Sequence, residues 1–216
     1  MTHPANGTLV DSRRAALAKL AYAVERPGGV ALLCGPPGTG KTVVLDALAA
    51  MLAGRATRRP LAAWLDDTAT DLPEFVLADD AHATDVTALL RLLDTCRARR
   101  SEACLVLAGE GRLLSLVSRD PRLVRAVGLR AVLRPFAEAE TRTVLDATLF
   151  ASCGGRMTVP ECDAVARTIH EIAAGIPAIV TRLAEFAALV AGARPHGGLV
   201  PADIEAIHRR LSLQAA

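Results

Sequence analysis

The residues best suited to chemistry form one glycine-rich run, residues 35–42 (GPPGTGKT). The run fits the pattern G-x-x-x-x-G-K-[ST], and it lies between a short apolar stretch and a helical one, the context in which this pattern is specific. Glycines let the backbone turn so that successive N–H groups point at phosphate oxygens. The sequence therefore predicts a phosphate-binding loop that holds a nucleoside triphosphate.

The last two residues of this run have expected roles. The ammonium group of Lys41 is expected to reach the β- and γ-phosphates, and the hydroxyl of Thr42 to coordinate Mg²⁺. The N-terminus of the following helix attracts phosphate further. No N-K-x-D motif for guanine occurs, which favours ATP. The complete set of predicted nucleotide-binding residues is Gly35, Pro36, Pro37, Gly38, Thr39, Gly40, Lys41, Thr42 and Val43.

The second candidate site is an acidic strand end, residues 75–82 (FVLADDAH). Asp79 is expected to hold Mg²⁺ together with Thr42, through a bound water or the threonine hydroxyl. Asp80 is interpreted as the residue that activates the attacking water, or alternatively as a group that supports the metal from behind its direct ligands. A glutamate is common at this position, and a displacement near 1 Å can cost about a hundredfold in rate, so slow hydrolysis is expected. His82 either orients Asp80, senses the γ-phosphate, or only begins a helix.

Strands alternating with helices are expected to position these groups in the first part of the chain. Short apolar runs predict strands, and amphipathic runs predict helices. Only about nine residues separate 61–65 from the next strand, whereas a parallel crossover usually needs a dozen or more. Either 61–65 is not a strand of the sheet or its crossover is shortened. The expected strands are 29–34, 61–65, 75–79, 103–109 and a last one near 129–133. Helices are expected at 12–25, from the phosphate-binding loop to about 53, at 84–99 with Thr84 as a candidate N-cap, and within 113–127. Residues 54–60 are expected to break the second helix, and 66–74 to form a loop.

The pattern changes after Pro135, where four helical segments follow with no strand between them. They cover about 137–150, 160–174, 177–192 and 201–213, and prolines stand near the starts of the last three. We therefore predict an α/β fold with a parallel-sheet core over residues 1–135 and an all-α lid over residues 136–216.

Composition bounds the remaining possibilities. The chain has 216 residues, 51% of them hydrophobic, and a net charge of +2, which does not require a nucleic-acid partner. Five cysteines without paired spacing argue against a disulfide framework or a zinc site, and they fit a reducing cytoplasm. No signal-peptide pattern or membrane-length apolar run occurs, so no membrane anchor is expected. Two arginine clusters, at 55–59 and 97–100, could contact DNA but are interpreted as solubilising.

Five motifs in one order resemble the ExeA-type AAA+ ATPases of the general secretion pathway and the related transposon target-selection ATPases. The motifs are GPPGTGKT, DDAH, CLVLAGEGRLLSLV, LVRAVGLRAVLRPFAEAET and GIPAIVTRLAEFAALVAG, and the resemblance covers roughly residues 12–212. It implies a P-loop NTPase fold, ATP hydrolysis with Mg²⁺, a protein partner in an assembly or secretion-type complex, and a homo-oligomer on ATP binding. An arginine from a neighbouring subunit would then reach the ATP, with Arg119, Arg122, Arg125 and Arg130 as candidates.

Three positions depart from that family pattern: Asp80, where a glutamate is common, Glu110 and Ala178. Glu110 stands where the family has an amide that senses the γ-phosphate, so the catalytic set implied for this chain is Lys41, Asp80 and Glu110. Ala178 replaces the arginine of the lid motif G-x-P-R and cannot make its phosphate contact. These changes imply low turnover with ATP binding retained. The DDAH and GIP motifs also resemble the STAND signalling ATPases, which leaves a nucleotide-gated switch without hydrolysis as an alternative.

Overall fold

The computed structural model describes residues 9–66, 72–153, 157–194 and 198–213, so part of the loop expected at 66–74 lies outside it. The chain divides into two compact units, Met1–Arg134 and Pro135–Ala216. The elements of the first unit are α1 (Asp11–Val24), β1 (Val30–Cys34), α2 (Lys41–Met51), β2 (Ala56–Pro60), α3 (Leu61–Leu65), β3 (Phe75–Asp79), a 3₁₀ turn (Ala81–Ala83), α4 (Val86–Arg99), β4 (Cys104–Gly109), α5 (Gly111–Ser118), α6 (Pro121–Ala126) and β5 (Val127–Val132).

The five strands form one parallel sheet in the order β2-β3-β4-β1-β5. Every residue of β1, β3 and β4 is buried, as expected for parallel strands covered on both faces. Side chains on one face pack with α3 to α6, around Trp64, Leu89 and Leu113. Those on the other face pack with α1 and α2, around Leu20 and Leu45. Because the strands are parallel, their carboxyl ends lie at the same edge of the sheet, where α2 begins.

The second strand differs from the sequence-based expectation. Residues 61–65 form α3 rather than a strand, and β2 occupies 56–60, where only a break after the preceding helix was expected. Leu61 and Trp64 are buried at helical spacing, a pattern that five residues are too few to reveal beforehand. β2 is the edge strand of the described sheet and pairs there with β3, and an edge strand tolerates arginines and a proline. The crossover from β2 to β3 therefore covers 61–74 and contains α3, which removes the problem of its length.

The helix starts also shift slightly, for local reasons. Asp85, not Thr84, caps α4, because its Oδ1 accepts the N–H of Ala88 at 2.8 Å. The helical stretch expected within 113–127 is two helices, α5 and α6, because Asp120 caps a new helix that begins with Pro121.

The second unit is entirely helical in its described residues. It comprises α7 (Glu138–Leu145), which continues as a π-helical turn (Asp146–Phe150), then α8 (Val159–Ala173), α9 (Pro177–Gly192) and α10 (Pro201–Leu213). The four predicted helical segments are confirmed, and Pro177 and Pro201 are the first residues of their helices. Their apolar faces share one core around Leu145, Ile169 and Leu183. Across the described parts of both units, no helix combines the length and the apolar character needed to cross a membrane.

Candidate functional site

The glycine-rich loop connects β1 to α2, as the sequence predicts. Gly38 and Gly40 have φ values of +73° and +87°, in the left-handed region that glycine adopts without steric cost. Thr39 is fully buried, and its hydroxyl donates to the carbonyl oxygen of Pro36 at 2.8 Å. The loop is thus held in a curled shape by hydrogen bonds between its own residues.

Gly35, the first residue of the loop, is closely confined. A β-carbon built on it would lie 2.8 Å from the carbonyl oxygen of Leu133 and 2.8 Å from the Thr39 hydroxyl. Leu133 itself is fixed, because its N–H donates to the carbonyl oxygen of Cys34 at 2.7 Å. Only glycine therefore fits where the loop leaves the sheet.

Lys41 is the first residue of α2 and is only 9% exposed. Its Nζ donates to the carbonyl oxygens of Gly35 and Pro36, each at 3.0 Å. The ammonium group consequently lies within the curl of the loop, where it can bind the oxygens of a phosphate. Of the other predicted nucleotide-binding residues, Pro36, Pro37, Gly38, Thr42 and Val43 are exposed.

The structure brings the loop and the acidic strand end together. The Thr42 hydroxyl donates to Oδ2 of Asp79 at 2.8 Å, and the N–H of Asp80 donates to Oδ1 at 3.0 Å. Asp79 ends β3 and is only 5% exposed, so its carboxylate is held by hydrogen bonds within a largely dry environment. A threonine hydroxyl and an aspartate carboxylate are the hard oxygen ligands that Mg²⁺ prefers, and these residues fit a magnesium–nucleotide complex.

Asp80 has an unusual backbone conformation. Its φ of 53° and ψ of 28° lie in the left-handed region, which aspartate tolerates better than most residues. The carbonyl oxygen of Asp80 accepts the N–H of Ala83 at 2.9 Å, which closes the 3₁₀ turn after β3. The side chain of Asp80 is exposed, so it is open to water beside the buried carboxylate of Asp79.

Glu110 and His82 form a pair that the sequence analysis did not anticipate. His82 Nε2 lies 3.5 Å from Glu110 Oε1, and Glu110 immediately follows β4 at the N-cap of α5. The imidazole packs against Gly109, where an added β-carbon would lie 3.2 Å from Nδ1. The predicted sensor residue therefore contacts the histidine of the acidic strand end.

Two arginines near the loop were missed by sequence analysis. Arg13 on α1 is 3% exposed and donates through Nη2 to the carbonyl oxygen of Thr39 at 2.6 Å. The sequence contained a signal for Arg13, because its helical spacing places it on the same buried face of α1 as Ala16 and Leu20. Arg58 on β2 lies 3.6 Å from Asp79 through Nη1, whereas the sequence placed it in a solubilising arginine cluster and gave no sign of this contact.

The arginine candidates for a contact in a neighbouring subunit belong to the first unit, and Ala178 belongs to the second. Arg119, Arg122, Arg125 and Arg130 are exposed, and Arg122 pairs with Asp94 and Asp120 within its own unit. Ala178 is exposed on α9 of the second unit. Cys34, beside the loop, is buried, and burial raises the pKa of its thiol.

Comparison with known proteins gives structural matches only. Neither protein-family models nor curated protein sequences match the chain. Among solved structures, a variant of RuvB from Thermotoga maritima shares 17% identity over 92% of this chain and 68% of its own, with a TM-score of 0.63. The replication initiator DnaA, bound to AMPPCP and single-stranded DNA, shares 14% identity over 88% and 64%, with a TM-score of 0.62. PCH-2 of C. elegans shares 16% over 93% and 68%, with a TM-score of 0.58.

The chain has the AAA+ P-loop ATPase fold. This confirms the predicted α/β class with a parallel sheet followed by helices. Identities below 20% establish the AAA+ fold alone, and the chain spans only 64–68% of the length of these three structures. The narrower resemblance to ExeA-type ATPases is therefore a hypothesis about a branch within the AAA+ fold.

Proposed function

We propose that this protein is an ATPase that couples ATP binding and slow hydrolysis to the assembly or remodelling of a partner complex. The observation that supports this most strongly is the hydrogen bond from Thr42 to Asp79, 2.8 Å long. It joins a phosphate-binding loop to an acidic strand end, the two parts that hold a nucleoside triphosphate and its metal in this class of fold.

Each residue has a proposed role. Lys41 binds the β- and γ-phosphates, and the loop from Gly35 to Val43 surrounds them with backbone N–H groups. Thr42 and Asp79 hold magnesium, which when bound neutralises charge on the phosphates. Asp80 accepts a proton from a water molecule while the oxygen of that water attacks the γ-phosphorus. The bond to the β–γ bridging oxygen breaks, and ADP and inorganic phosphate leave.

Single-turnover hydrolysis of ATP tests this proposal. We expect the wild-type protein to release phosphate slowly, Lys41→Ala to release none above background, and Asp80→Glu to be faster than wild type. The control is Lys19→Ala, which removes the only other lysine of the chain, an exposed residue of α1. Wild-type release equal to that of Lys41→Ala would refute the hydrolytic function.

A second candidate is a nucleotide-gated switch that binds ATP without hydrolysing it. Its supporting observation is the exposed, left-handed Asp80, with the predicted sensor Glu110 paired to His82. In that case nucleotide binding requires Lys41, as before, but neither wild type nor Asp80→Glu releases phosphate. The same experiment therefore separates the two functions.

The partners are proposed from the fold and the sequence resemblance. We expect a protein partner of an assembly or secretion-type complex, a homo-oligomer when ATP binds, and action in the cytoplasm. Light scattering with Mg-ATP and then with ADP tests the oligomer, and an unchanged mass with both nucleotides would contradict it.

DNA is a less favoured partner, although one structural neighbour is described as bound to single-stranded DNA. Arg55, Arg58 and Arg59 do not present one basic patch, because they contact Glu74, Asp46 and Trp64 respectively. Filter binding across a salt series tests DNA directly, since phosphate contacts give a steep dependence on salt.

A further inference from the structure

The guanidinium group of Arg58 lies between two carboxylates at the proposed magnesium site. Its Nε donates to Oδ1 of Asp46 on α2 at 2.5 Å, and its Nη1 lies 3.6 Å from Oδ2 of Asp79. That oxygen of Asp79 is the same one that accepts the hydroxyl of Thr42. An arginine is therefore in ionic contact with the carboxylate proposed to hold magnesium.

The fold places this cation in a defined way. Arg58 is in register with Leu77 on β3, two residues before Asp79, so its long side chain extends along the sheet toward the carboxyl ends of the strands. Asp46, one turn beyond Thr42 on α2, holds the other side of the guanidinium group. A planar group with five donors can contact two carboxylates at once, which a lysine ammonium on the same strand does less well.

Neighbouring arginines of the same segment have different surroundings. Arg55 pairs with Glu74 at 3.2 Å and lies over the ring of Phe75, and Arg59 lies over the ring of Trp64. Arg58, by contrast, has a described ionic contact with Asp79. Its side chain is 32% exposed and that of Asp79 is 6% exposed, so water screens the interaction only in part.

We propose that Arg58 is a built-in counter-cation of Asp79 that makes ATP binding less dependent on magnesium. This inference rests on the proposed function of the same site. Arg58 raises the electrostatic potential where the phosphates and the metal bind. A higher potential strengthens the binding of metal-free ATP, which carries a large negative charge, and weakens the binding of the divalent cation. Both effects reduce the amount by which magnesium strengthens ATP binding.

The measurable quantity is a ratio of dissociation constants for a fluorescent ATP analogue. It is the dissociation constant in EDTA divided by the dissociation constant in excess magnesium. Removing the charge weakens binding in EDTA and strengthens the contribution of magnesium, so the ratio is expected to rise about tenfold in Arg58→Ala. Arg58→Lys retains the charge and is expected to stay within about threefold of wild type. Arg55→Ala removes an arginine that pairs elsewhere and is expected to leave the ratio unchanged.

Folding of each variant is checked with Trp64, the single tryptophan, which is buried in the first unit. If Arg58→Ala does not fold, Arg58→Gln provides a neutral side chain that keeps most of the aliphatic stem. A ratio in the neutral variant equal to or below that of wild type overturns the inference. So does a rise of the same size in Arg55→Ala.

The two proposals fail in distinguishable ways. If the wild-type protein binds the analogue no better than Lys41→Ala, the nucleotide site itself is wrong. If wild type binds in a Lys41-dependent manner and the neutral Arg58 variants keep the wild-type ratio, only the role of Arg58 is wrong.

Discussion

Gly35→Ala is the substitution whose cost is most directly set by the structure. The new β-carbon would lie 2.8 Å from both the carbonyl oxygen of Leu133 and the hydroxyl of Thr39, and 3.1 Å from the β-carbon of Leu133. The carbonyl belongs to backbone tied to β1, so it cannot simply rotate away. Overpacking of this kind costs about 1–3 kcal/mol, and with two such approaches we expect the upper half of that range.

Urea unfolding followed by Trp64 fluorescence measures this cost, because Trp64 reports on the unit that contains the loop. The free energy of unfolding is expected to fall by about 2–3 kcal/mol. The loop must also shift to admit the methyl group, so the dissociation constant for ATP is expected to rise at least about tenfold.

Gly111→Ala is the matched control. A β-carbon on Gly111 meets nothing within 4 Å, and this residue begins α5, where alanine favours the helix by up to about 1 kcal/mol. The control is expected to be as stable as wild type or more so. A Gly35→Ala protein with wild-type stability and ATP affinity would refute the close packing described for the loop.

Two further predictions concern individual hydrogen bonds. Thr42→Val leaves the buried Asp79 carboxylate without its hydroxyl donor, so the free energy of unfolding is expected to fall by about 1–3 kcal/mol. In ATP titrations of this variant, magnesium should no longer improve ATP binding. Asp203 in the helical unit accepts hydrogen bonds from Arg194 and from the N–H of Val200, which hold the pKa of its carboxyl below the ordinary 3.8. The ionised Asp203 therefore stabilises the fold above pH 3.8, and this stabilisation is lost as the pH falls through the lowered pKa. Thermal unfolding followed by circular dichroism should show wild type more stable than Asp203→Asn at pH 7, with the two stabilities converging in acid. A constant difference in stability down to pH 2 would contradict this prediction.

The loop and the strands beside it could be predicted because their sequence patterns encode local geometry. A strand, a glycine-rich run and a lysine at the start of a helix specify one backbone path, and three buried strands read as continuous apolar runs. The parallel arrangement then brings the end of β3 to the edge of the sheet where the loop lies. That Thr42 and Asp79 meet follows from the topology more than from either motif alone.

β2 could not be predicted, because its own residues carry no local pattern that indicates a strand. An edge strand is specified by its pairing with β3, not by its own residues, and Ala56–Pro60 is polar and ends in proline. LAAWL contains the apolar residues of a strand, but its short run is equally compatible with a helix. Pairing with β3 therefore determines the strand at Ala56–Pro60 despite the low strand propensity of its residues.

Arg58 was missed as a consequence of β2. Without the strand, the arginines at 55–59 read as one basic cluster, and only the alternation of side chains along β2 separates Arg58 from Arg59. Arg13, by contrast, could have been found, because an arginine within the buried stripe of an amphipathic helix needs a polar partner.

The central claim, that the loop binds ATP through Lys41, is tested most directly by equilibrium binding of ATP to wild type, Lys41→Ala and Lys19→Ala in magnesium. Removing a buried charged hydrogen-bonding partner costs about 2–5 kcal/mol, so Lys41→Ala should weaken binding by about thirtyfold or more. Lys19→Ala should bind as wild type does, since Lys19 is an exposed residue of α1. Equal affinities of wild type and a folded Lys41→Ala protein would contradict the account.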